Sequence, residues 1–273
     1  MHCHICNHTD VAMLDKPFEV YFCKHCSHEW SALPPERQET YSQEYFREIH
    51  KKWFEHPHLS LFNQINAFVN EVVHQRAGVI SFLDVGCGQG DLLRFMRNAG
   101  SPALLSGIDL VLNTDTGIRY YQGDVVTFPF AKKFDVVSGL MVIEHIGDPH
   151  GFIQRITSLL NPRGIVIINT INASGLLYRL ACVFRCIGFR GPFERLYDKH
   201  HLEHYGTRSL RALLESEGYC IRTQRVHNFP LQALDLPKGN TFLAFLYQCG
   251  VACAFFLTAR WGGVHQTIVC EKK

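Results

Sequence analysis

Four cysteines near the start of the chain have the spacing of a metal site. Cys3, Cys6, Cys23 and Cys26 form two Cys-x-x-Cys pairs separated by sixteen residues. Four thiolates are the ligand set of a tetrahedral structural zinc site with no open coordination position. Metal binding of roughly 10 kcal/mol or more would offset the cost of ordering a segment whose own core is so small. Disulfides are the alternative, but the first residues lack the pattern of a secretory signal, which favours reduced thiols and a cytoplasmic location.

A second set of residues lies in the stretch "FLDVGCGQGD". Gly86, Gly88 and Gly90 stand at alternating positions directly behind an apolar run. Because glycine inside an element costs stability, three in one turn indicate a backbone that bends sharply or approaches a ligand closely. The pattern by itself is weak, since any tight strand-to-helix turn can have it.

Three aspartates strengthen the prediction of a ligand site. Asp84 precedes the glycines, Asp109 ends the next apolar run, and Asp124 ends the one after it. At the rim of a parallel sheet, a carboxylate can accept hydrogen bonds from both hydroxyls of a ribose. The spacing differs from the G-x-G-x-x-G dinucleotide fingerprint, and no phosphate-binding lysine follows. A ligand with ribose and adenine but no phosphates is therefore predicted, with another nucleotide as the alternative.

Histidines supply the third kind of chemistry. Near neutral pH a histidine can remove a proton from a hydroxyl or a carbon acid, which is worth about a hundred- to ten-thousand-fold in rate. His145 follows a predicted strand in "VIEHIGDP", and His200, His201 and His204 cluster in "KHHLEHYG". For His201 a catalytic role and a structural one remain open, whereas His204 is expected to be a surface or capping residue.

Alternating apolar segments must position these groups. The strands are predicted in "VISFLDVG", "ALLSGIDL", "FDVVSGLMVI" and "GIVIINTI", and helices between them in "DLLRFMRNAG" and "DPHGFIQRITSLLNPRG". Strand and helix in alternation indicate a parallel sheet covered on both faces. Ligands of such sheets bind beyond the carboxyl ends of the strands, where the acids and His145 are expected.

The segments resemble class I S-adenosylmethionine (SAM)-dependent methyltransferases over roughly residues 40–273. The resemblance is carried by "LDVGCGQGDLL", "GDVVTFPF", "FDVVSGLMVIEHIGDPHGFI", "LLNPRGIVIINT" and "HLEHYGTRSLRALLESEGY". It implies an α/β fold: a Rossmann-like seven-stranded methyltransferase sheet with helices on both faces, here with a small N-terminal zinc ribbon. It also implies a reversed last strand, residues 264–271, inserted between its neighbours.

The resemblance assigns a cofactor site. Asp84 and the glycine backbone would hold the methionine portion of SAM, Asp109 the ribose and Asp124 the adenine amino group. Tyr45, in "YSQEYF", would close over the cofactor, with ordinary helix packing as the alternative. The implied cofactor-binding residues are Asp84, Gly86, Cys87, Gly88, Gly90, Asp109, Leu110, Asp124, Val125 and Tyr45.

The resemblance also places catalytic residues. The Glu144–His145 pair commonly lines the acceptor site in this family, and for Glu144 the alternative is a residue that only caps or orients the turn. In the quinone O-methyltransferase branch an acid three residues earlier helps to hold a metal ion, but Met141 stands there, so no catalytic metal is predicted. "KHHLEHYG" is similar to segments of polysaccharide-cluster methyltransferases and of sugar C-methyltransferases, in which His201 matches the active-site histidine and His200 replaces a glutamate. The expected catalytic set is His145, His201, Glu144 and His200.

Composition divides the chain into a zinc-ribbon segment (1–32), a helical connector or lid (33–77) and a methyltransferase domain (78–273). Residues 240–259 carry no charge and nearly suffice to span a bilayer. A span would part the closing strand from its sheet and leave backbone groups unpaired, so a helix packed over the end of the sheet is predicted. Its role stays open between core or homodimer contact, a hydrophobic acceptor pocket and peripheral contact with the inner face of a membrane.

These features predict a cytoplasmic SAM-dependent methyltransferase that acts on a small molecule, a sugar or lipid-linked saccharide hydroxyl being favoured. Residues 1–60 contain six Lys or Arg against nine Asp or Glu, which argues against binding nucleic acid. An rRNA or tRNA methyltransferase and a non-catalytic SAM-binding interaction module are the alternatives.

Overall fold

A computed structural model describes residues 1–32, 51–76, 78–197, 201–234, 236, 239, 241–258 and 262–273 of the 273-residue chain. The strands are β1 Val11–Asp15, β2 Val20–Cys23, β3 Glu29–Ser31, β4 Ser81–Val85, β5 Leu104–Asp109, β6 Arg119–Gln122, β7 Phe134–Leu140, β8 Leu160–Ile171, β9 Glu203–His204, β10 Tyr219–His227 and β11 His265–Lys272. The helices are α1 Lys51–Glu55, α2 Leu59–Arg76, α3 Asp91–Asn98, α4 Pro149–Leu159, α5 Leu176–Cys186, α6 Gly191–Leu196, α7 Thr207–Ser216 and α8 Thr241–Thr258.

A seven-stranded sheet forms the centre of the protein. Its order is β10-β11-β8-β7-β4-β5-β6, and the strands from β8 to β6 are parallel. The last strand, β11, runs antiparallel between β8 and β10. The predicted α/β fold with the inserted reversed strand is therefore confirmed.

Apolar side chains from helices on both faces bury the sheet. On one face Leu61, Ile65 and Val72 of α2 are buried at helical spacing, while Phe68 is half-buried. On the other face α4 and α7 pack over the sheet. Burial on both faces explains why the central strands are continuous apolar runs in the sequence.

The chain enters β8 earlier than its sequence indicates. The sequence predicts a helix within residues 148–164 and a strand after it, and α4 ends at Leu159. However, β8 already begins at Leu160, and Arg163 has a φ of 58°. The pairing of Leu160 with Phe134 of β7 accounts for this early start, with an irregularity in register before the second pair, Val136 and Ile165.

The N-terminal segment forms a small antiparallel sheet that includes a strand from elsewhere in the chain. Strands β1, β2 and β3 are joined by β9, which pairs with β3 through Trp30 opposite Glu203 and Glu29 opposite His204. The sequence did not predict this pairing, because a two-residue strand has no periodicity. The ribbon is thus hydrogen-bonded to the segment that contains His201.

The uncharged run forms the 18-residue helix α8. It contacts α5. Among the described residues, no helix combines the length and the apolar character needed to cross a bilayer.

Candidate functional site

The glycine turn connects β4 to α3 at the carboxyl edge of the sheet. Gly86, Gly88 and Gly90 all have positive φ angles, of 63°, 52° and 82°. A β-carbon on Gly86 would lie 2.5 Å from Cγ2 of Val142, and one on Gly90 would lie 2.2 Å from the hydroxyl oxygen of Tyr120. Both the left-handed backbone and the close approach therefore require glycine at these two positions.

Asp84 lies beneath this turn and is buried. Its carboxylate accepts a hydrogen bond of 2.6 Å from the hydroxyl of Ser138 on β7. Burial raises the pKa of Asp84 to about 7, and the nearby Asp109 carboxylate adds to the increase, although the Ser138 hydrogen bond opposes it. The site therefore holds a carboxyl group whose charge is costly in the ligand-free protein.

This burial predicts a pH-dependent gain in stability for Asp84→Asn. Between the ordinary pKa of 3.8 and the folded value of about 7, the folded state binds more protons than the unfolded state, so stability falls as the pH rises through this window. The amide keeps the hydrogen bond from Ser138 but has no charge. At pH 8 we expect the free energy of unfolding of the variant to exceed that of the wild type by up to about 4 kcal/mol. At pH 4 the two values should be nearly equal. Urea unfolding at pH 8 and pH 4 measures these free energies. A difference between variant and wild type that is the same at both pH values would contradict the prediction.

Asp109 links the end of β5 to the glycine turn. One carboxylate oxygen accepts from the backbone N–H of Gly88 at 2.8 Å and the other from that of Val111 at 3.1 Å. Each carboxylate oxygen has two lone pairs, so both can accept a further donor. Burial raises the pKa of Asp109, while these backbone donors oppose the increase.

The remaining predicted cofactor residues lie along the same edge with different exposure. Cys87 and Val125 are buried, whereas Leu110 is 51% exposed. Asp124 is exposed two residues beyond β6, and one of its oxygens accepts from the N–H of Val126 at 2.9 Å. Tyr45 lies outside the described residues.

A carboxylate and two histidines converge beside the glycine turn. Glu144 and His145 lie in a single 3₁₀ turn after β7, two and three residues beyond the Val142 that contacts Gly86. His201 joins them from a distant part of the sequence, with its ring 5.0 Å from that of His145. One ligand atom from each of the three lies within 4.8 Å of the other two.

Glu144 is the buried member of this group. One carboxylate oxygen accepts a hydrogen bond of 2.8 Å from the Thr170 hydroxyl, and the other has no hydrogen-bond partner among the described residues. Burial raises the pKa of Glu144 to about 7. Because Met141 stands where the quinone branch has an acid, the sequence predicts no catalytic metal. In the structure, however, Glu144 and the two histidines form a donor set that could hold a metal ion, and the sequence did not reveal this geometry.

Leu202 connects this group to the ribbon through its backbone. Its N–H donates to the carbonyl of Glu144 at 2.8 Å, and its carbonyl accepts from the N–H of Ser31 at 2.8 Å. The next residue, Glu203, is buried and its carboxylate accepts from His4 at 2.7 Å and from His28 at 2.6 Å. Ribbon residues therefore hold the carbonyl of Leu202 and the side chain of Glu203, while Glu144 holds the Leu202 N–H.

The structure tests the prediction for His204 but not the one for His200. The expectation that His204 is a surface or capping residue is wrong: its side chain is fully buried against Tyr178 and Tyr197. Burial lowers its pKa to about 3. The β9 pairing with the ribbon places it inside, which spacing alone does not reveal. His200 lies outside the described residues.

The four N-terminal cysteines come together at one point. The sulfurs of Cys3 and Cys26 are 3.5 Å apart and those of Cys6 and Cys23 are 3.6 Å apart, and all four are free thiols. Zn–S bonds of about 2.3 Å in a tetrahedron place sulfurs roughly 3.8 Å apart, so the arrangement fits zinc. After each pair, at Asn7 and Ser27, φ is 57° and 59°, as expected for two knuckles.

Comparison with known proteins identifies the family. Residues 41–224, about two thirds of the chain, match the family described as "Methyltransferase domain". The chain belongs to this methyltransferase family. The predicted class I SAM-dependent methyltransferase fold is therefore confirmed, and the glycine turn, Asp109 and the Glu144–His145 pair all lie inside the matched region.

Two curated relatives are both named ubiquinone biosynthesis O-methyltransferase. The one from Histophilus somni is 29% identical over 150 residues, which cover 47% of this chain and 62% of the relative. The one from Haemophilus ducreyi is 32% identical over 139 residues, which cover 45% of this chain and 56% of the relative. The chain thus spans less than two thirds of the length of either, and neither name supports the predicted sugar acceptor.

A solved structure shows the same fold. It is a chain in the complex between the Haloferax volcanii Trm112 methyltransferase activator and a methyltransferase, with a TM-score of 0.55 and 13% identity. The alignment covers 84% of this chain and 92% of that one.

Proposed function

We propose that this protein transfers a methyl group from SAM to a hydroxyl oxygen of a small-molecule acceptor. The observation that carries the proposal is the contact between the two halves of the site: Val142, three residues before His145, fills the space above Gly86. The glycine turn, where the cofactor would bind, is thus next to the group formed by the buried Glu144 with His145 and His201.

The residues present fit SAM. Side chains are excluded from the turn at Gly86 and Gly90, so a ligand can approach its backbone closely, and Asp109 retains acceptor capacity on both oxygens for a ribose diol. Asp84 supplies negative charge beneath the turn, where the ammonium of the methionine portion would lie. Bound there, SAM would supply a methyl group already activated by its sulfonium.

We assign the general base to His145 and acceptor positioning to His201. His145 would take the proton of the acceptor hydroxyl, and SAM held at the turn would supply the methyl group to that oxygen and leave as S-adenosylhomocysteine. His201 comes from a later segment of the chain, which the ribbon holds. Its ring centre lies 5.0 Å from that of His145, so it can orient the acceptor hydroxyl. Glu144 holds the turn in place through Thr170.

The acceptor is proposed to be a phenolic hydroxyl, in preference to the sugar hydroxyl predicted from the sequence. A phenol has a pKa of about 10, whereas an aliphatic alcohol resembles water at about 16, so a histidine removes the phenolic proton far more readily. The name of the relatives also indicates transfer to oxygen. A cytoplasmic location and the three-part domain division remain predictions.

Calorimetry with S-adenosylhomocysteine tests the cofactor site. We expect Asp109→Ala to weaken binding by at least about 150-fold, because the two hydrogen bonds to a charged group that it would remove contribute about 1.5–3 kcal/mol each. Asp10→Ala is the matched control, since Asp10 is an exposed ribbon carboxylate paired with Lys24. A wild-type protein that binds a phosphorylated dinucleotide but not S-adenosylhomocysteine would contradict the proposal.

A labelled-methyl assay tests the acceptor class. Catechol-type phenols and, in parallel reactions, saccharides are incubated with the protein and with SAM labelled in its methyl group. We expect label in the phenols only. Label in a saccharide would overturn the acceptor assignment and leave the SAM site intact.

A further inference from the structure

Helix α8 presents an apolar stripe to solvent along its whole length. Five large apolar side chains are exposed by 49–83%, and two cysteines lie between them. The stripe, named the α8 stripe, consists of Phe242, Phe245, Leu246, Cys249, Cys253, Phe256 and Leu257. The opposite side of the helix, with Val251, Ala254 and Thr258, is buried against the protein.

The spacing of the α8 stripe is that of a helix-pairing seam. Positions 242, 246, 249, 253 and 256 are separated by alternating intervals of four and three residues, the repeat with which one helix packs along another. The helix of 18 residues is about 27 Å long, or about five turns, and the seam from Phe242 to Phe256 runs along about four of them.

The stripe is narrow in the middle and bulky at both ends. Cys249 and Gly250 stand at the centre, and a β-carbon on Gly250 would meet no atom within 4 Å. Around a twofold axis between these two residues, Phe242 of one copy lies opposite Leu257 of the other, and Leu246 lies opposite Cys253. The stripe is thus complementary to itself, which is the requirement for a twofold interface.

We infer that α8 packs antiparallel against α8 of a second copy of this chain. At roughly 200 Å² for each aromatic side chain, the exposed parts of the five large residues offer about 600 Å² per copy, most of the ~800 Å² that each partner buries in a standard interface. A membrane surface fits less well. Helices that lie in the interface have a charged face rich in Lys and Arg, whereas α8 has no charged residue and its other side is buried in the protein.

Gly250→Glu tests the interface by analytical ultracentrifugation. The added side chain meets only open space within one copy, so the variant should fold, but two carboxylates would meet at the twofold axis. We expect the wild type and the control Val79→Glu, which places the same charge at a residue 71% exposed and outside α8, to sediment as dimers. We expect Gly250→Glu to raise the dimer dissociation constant at least 100-fold with an unchanged thermal midpoint at low concentration. A wild type that is monomeric at every concentration, or a Gly250→Glu variant that stays dimeric, would overturn the inference.

Disulfide cross-linking gives a second readout. Cys249 of both copies would flank the axis, within the Cα separation of about 4.4–6.8 Å that a disulfide spans. Mild oxidation with copper–phenanthroline should yield a covalent dimer in the wild type and in Cys220→Ser, an exposed cysteine on β10, but not in Cys249→Ser/Cys253→Ser. A cross-link that survives the double substitution would contradict the inference. If the wild type is monomeric and floats with phosphatidylglycerol vesicles, the partner of the α8 stripe is a lipid surface and the inference is wrong.

Discussion

Replacement of His145 by alanine is expected to lower turnover by about a hundred- to ten-thousand-fold, because the variant lacks the group that accepts the hydroxyl proton. Affinity for S-adenosylhomocysteine should be unchanged, since the described residues predicted to bind the cofactor lie on or directly after β4, β5 and β6 and not on the 3₁₀ turn. Added imidazole should restore part of the rate by entering the space left by the ring. Labelled-methyl transfer to a phenol under saturating SAM measures the effect.

Two further variants make this prediction specific. His201→Ala is expected to raise the KM for the acceptor with a smaller effect on kcat, as befits a positioning residue. His74→Ala, which removes an exposed histidine of α2, should leave both constants unchanged. If the full loss of kcat appears in His201→Ala and His145→Ala keeps its turnover, the two roles are exchanged.

Removal of the metal from the four-cysteine site is expected to unfold the ribbon and to disable the acceptor site together. Without residues 1–32 in place, the buried Glu203 loses both histidine donors and Leu202 loses its bond to Ser31. Breaking a buried charged pair costs about 3–5 kcal/mol, and the segment that contains His201 is held by these contacts. We therefore expect one zinc ion per chain, and at least a tenfold loss of turnover when it is removed.

Elemental analysis and near-ultraviolet circular dichroism check this prediction. Trp30 is 1% exposed in the ribbon, so its signal reports the folding of this segment. Cys23→Ser should lose the metal and the signal, whereas Cys220→Ser, which alters an exposed cysteine of β10, should lose neither. A metal-free protein with the native signal and full turnover would contradict the coupling between ribbon and site.

The local sequence predicted the parts of the site that follow a strand directly. Asp84, the glycines and Asp109 could be found because they stand at the carboxyl ends of apolar runs, and parallel strands bring such ends to one edge. The place of His145 after β7 followed in the same way. The cysteine pairs indicated a metal site because zinc ligands need a fixed local spacing.

Contacts between distant segments could not be predicted. His201 is 56 positions beyond His145 and meets it only because Leu202 bonds to Glu144 and β9 joins the ribbon. The same pairing buries His204, against our expectation. A strand of two residues has no periodicity to reveal it, and its stability comes from partners more than 170 positions away.

The sheet, the predicted cofactor edge and the thiol cluster could be found in the sequence, because each depends on periodicity or on spacing within a few residues. The fold was needed to show which distant histidine meets Glu144, what the ribbon holds and which side of α8 faces solvent. Those outcomes depend on hydrogen bonds and packing between segments far apart in the chain, and a single sequence does not record which of its segments meet.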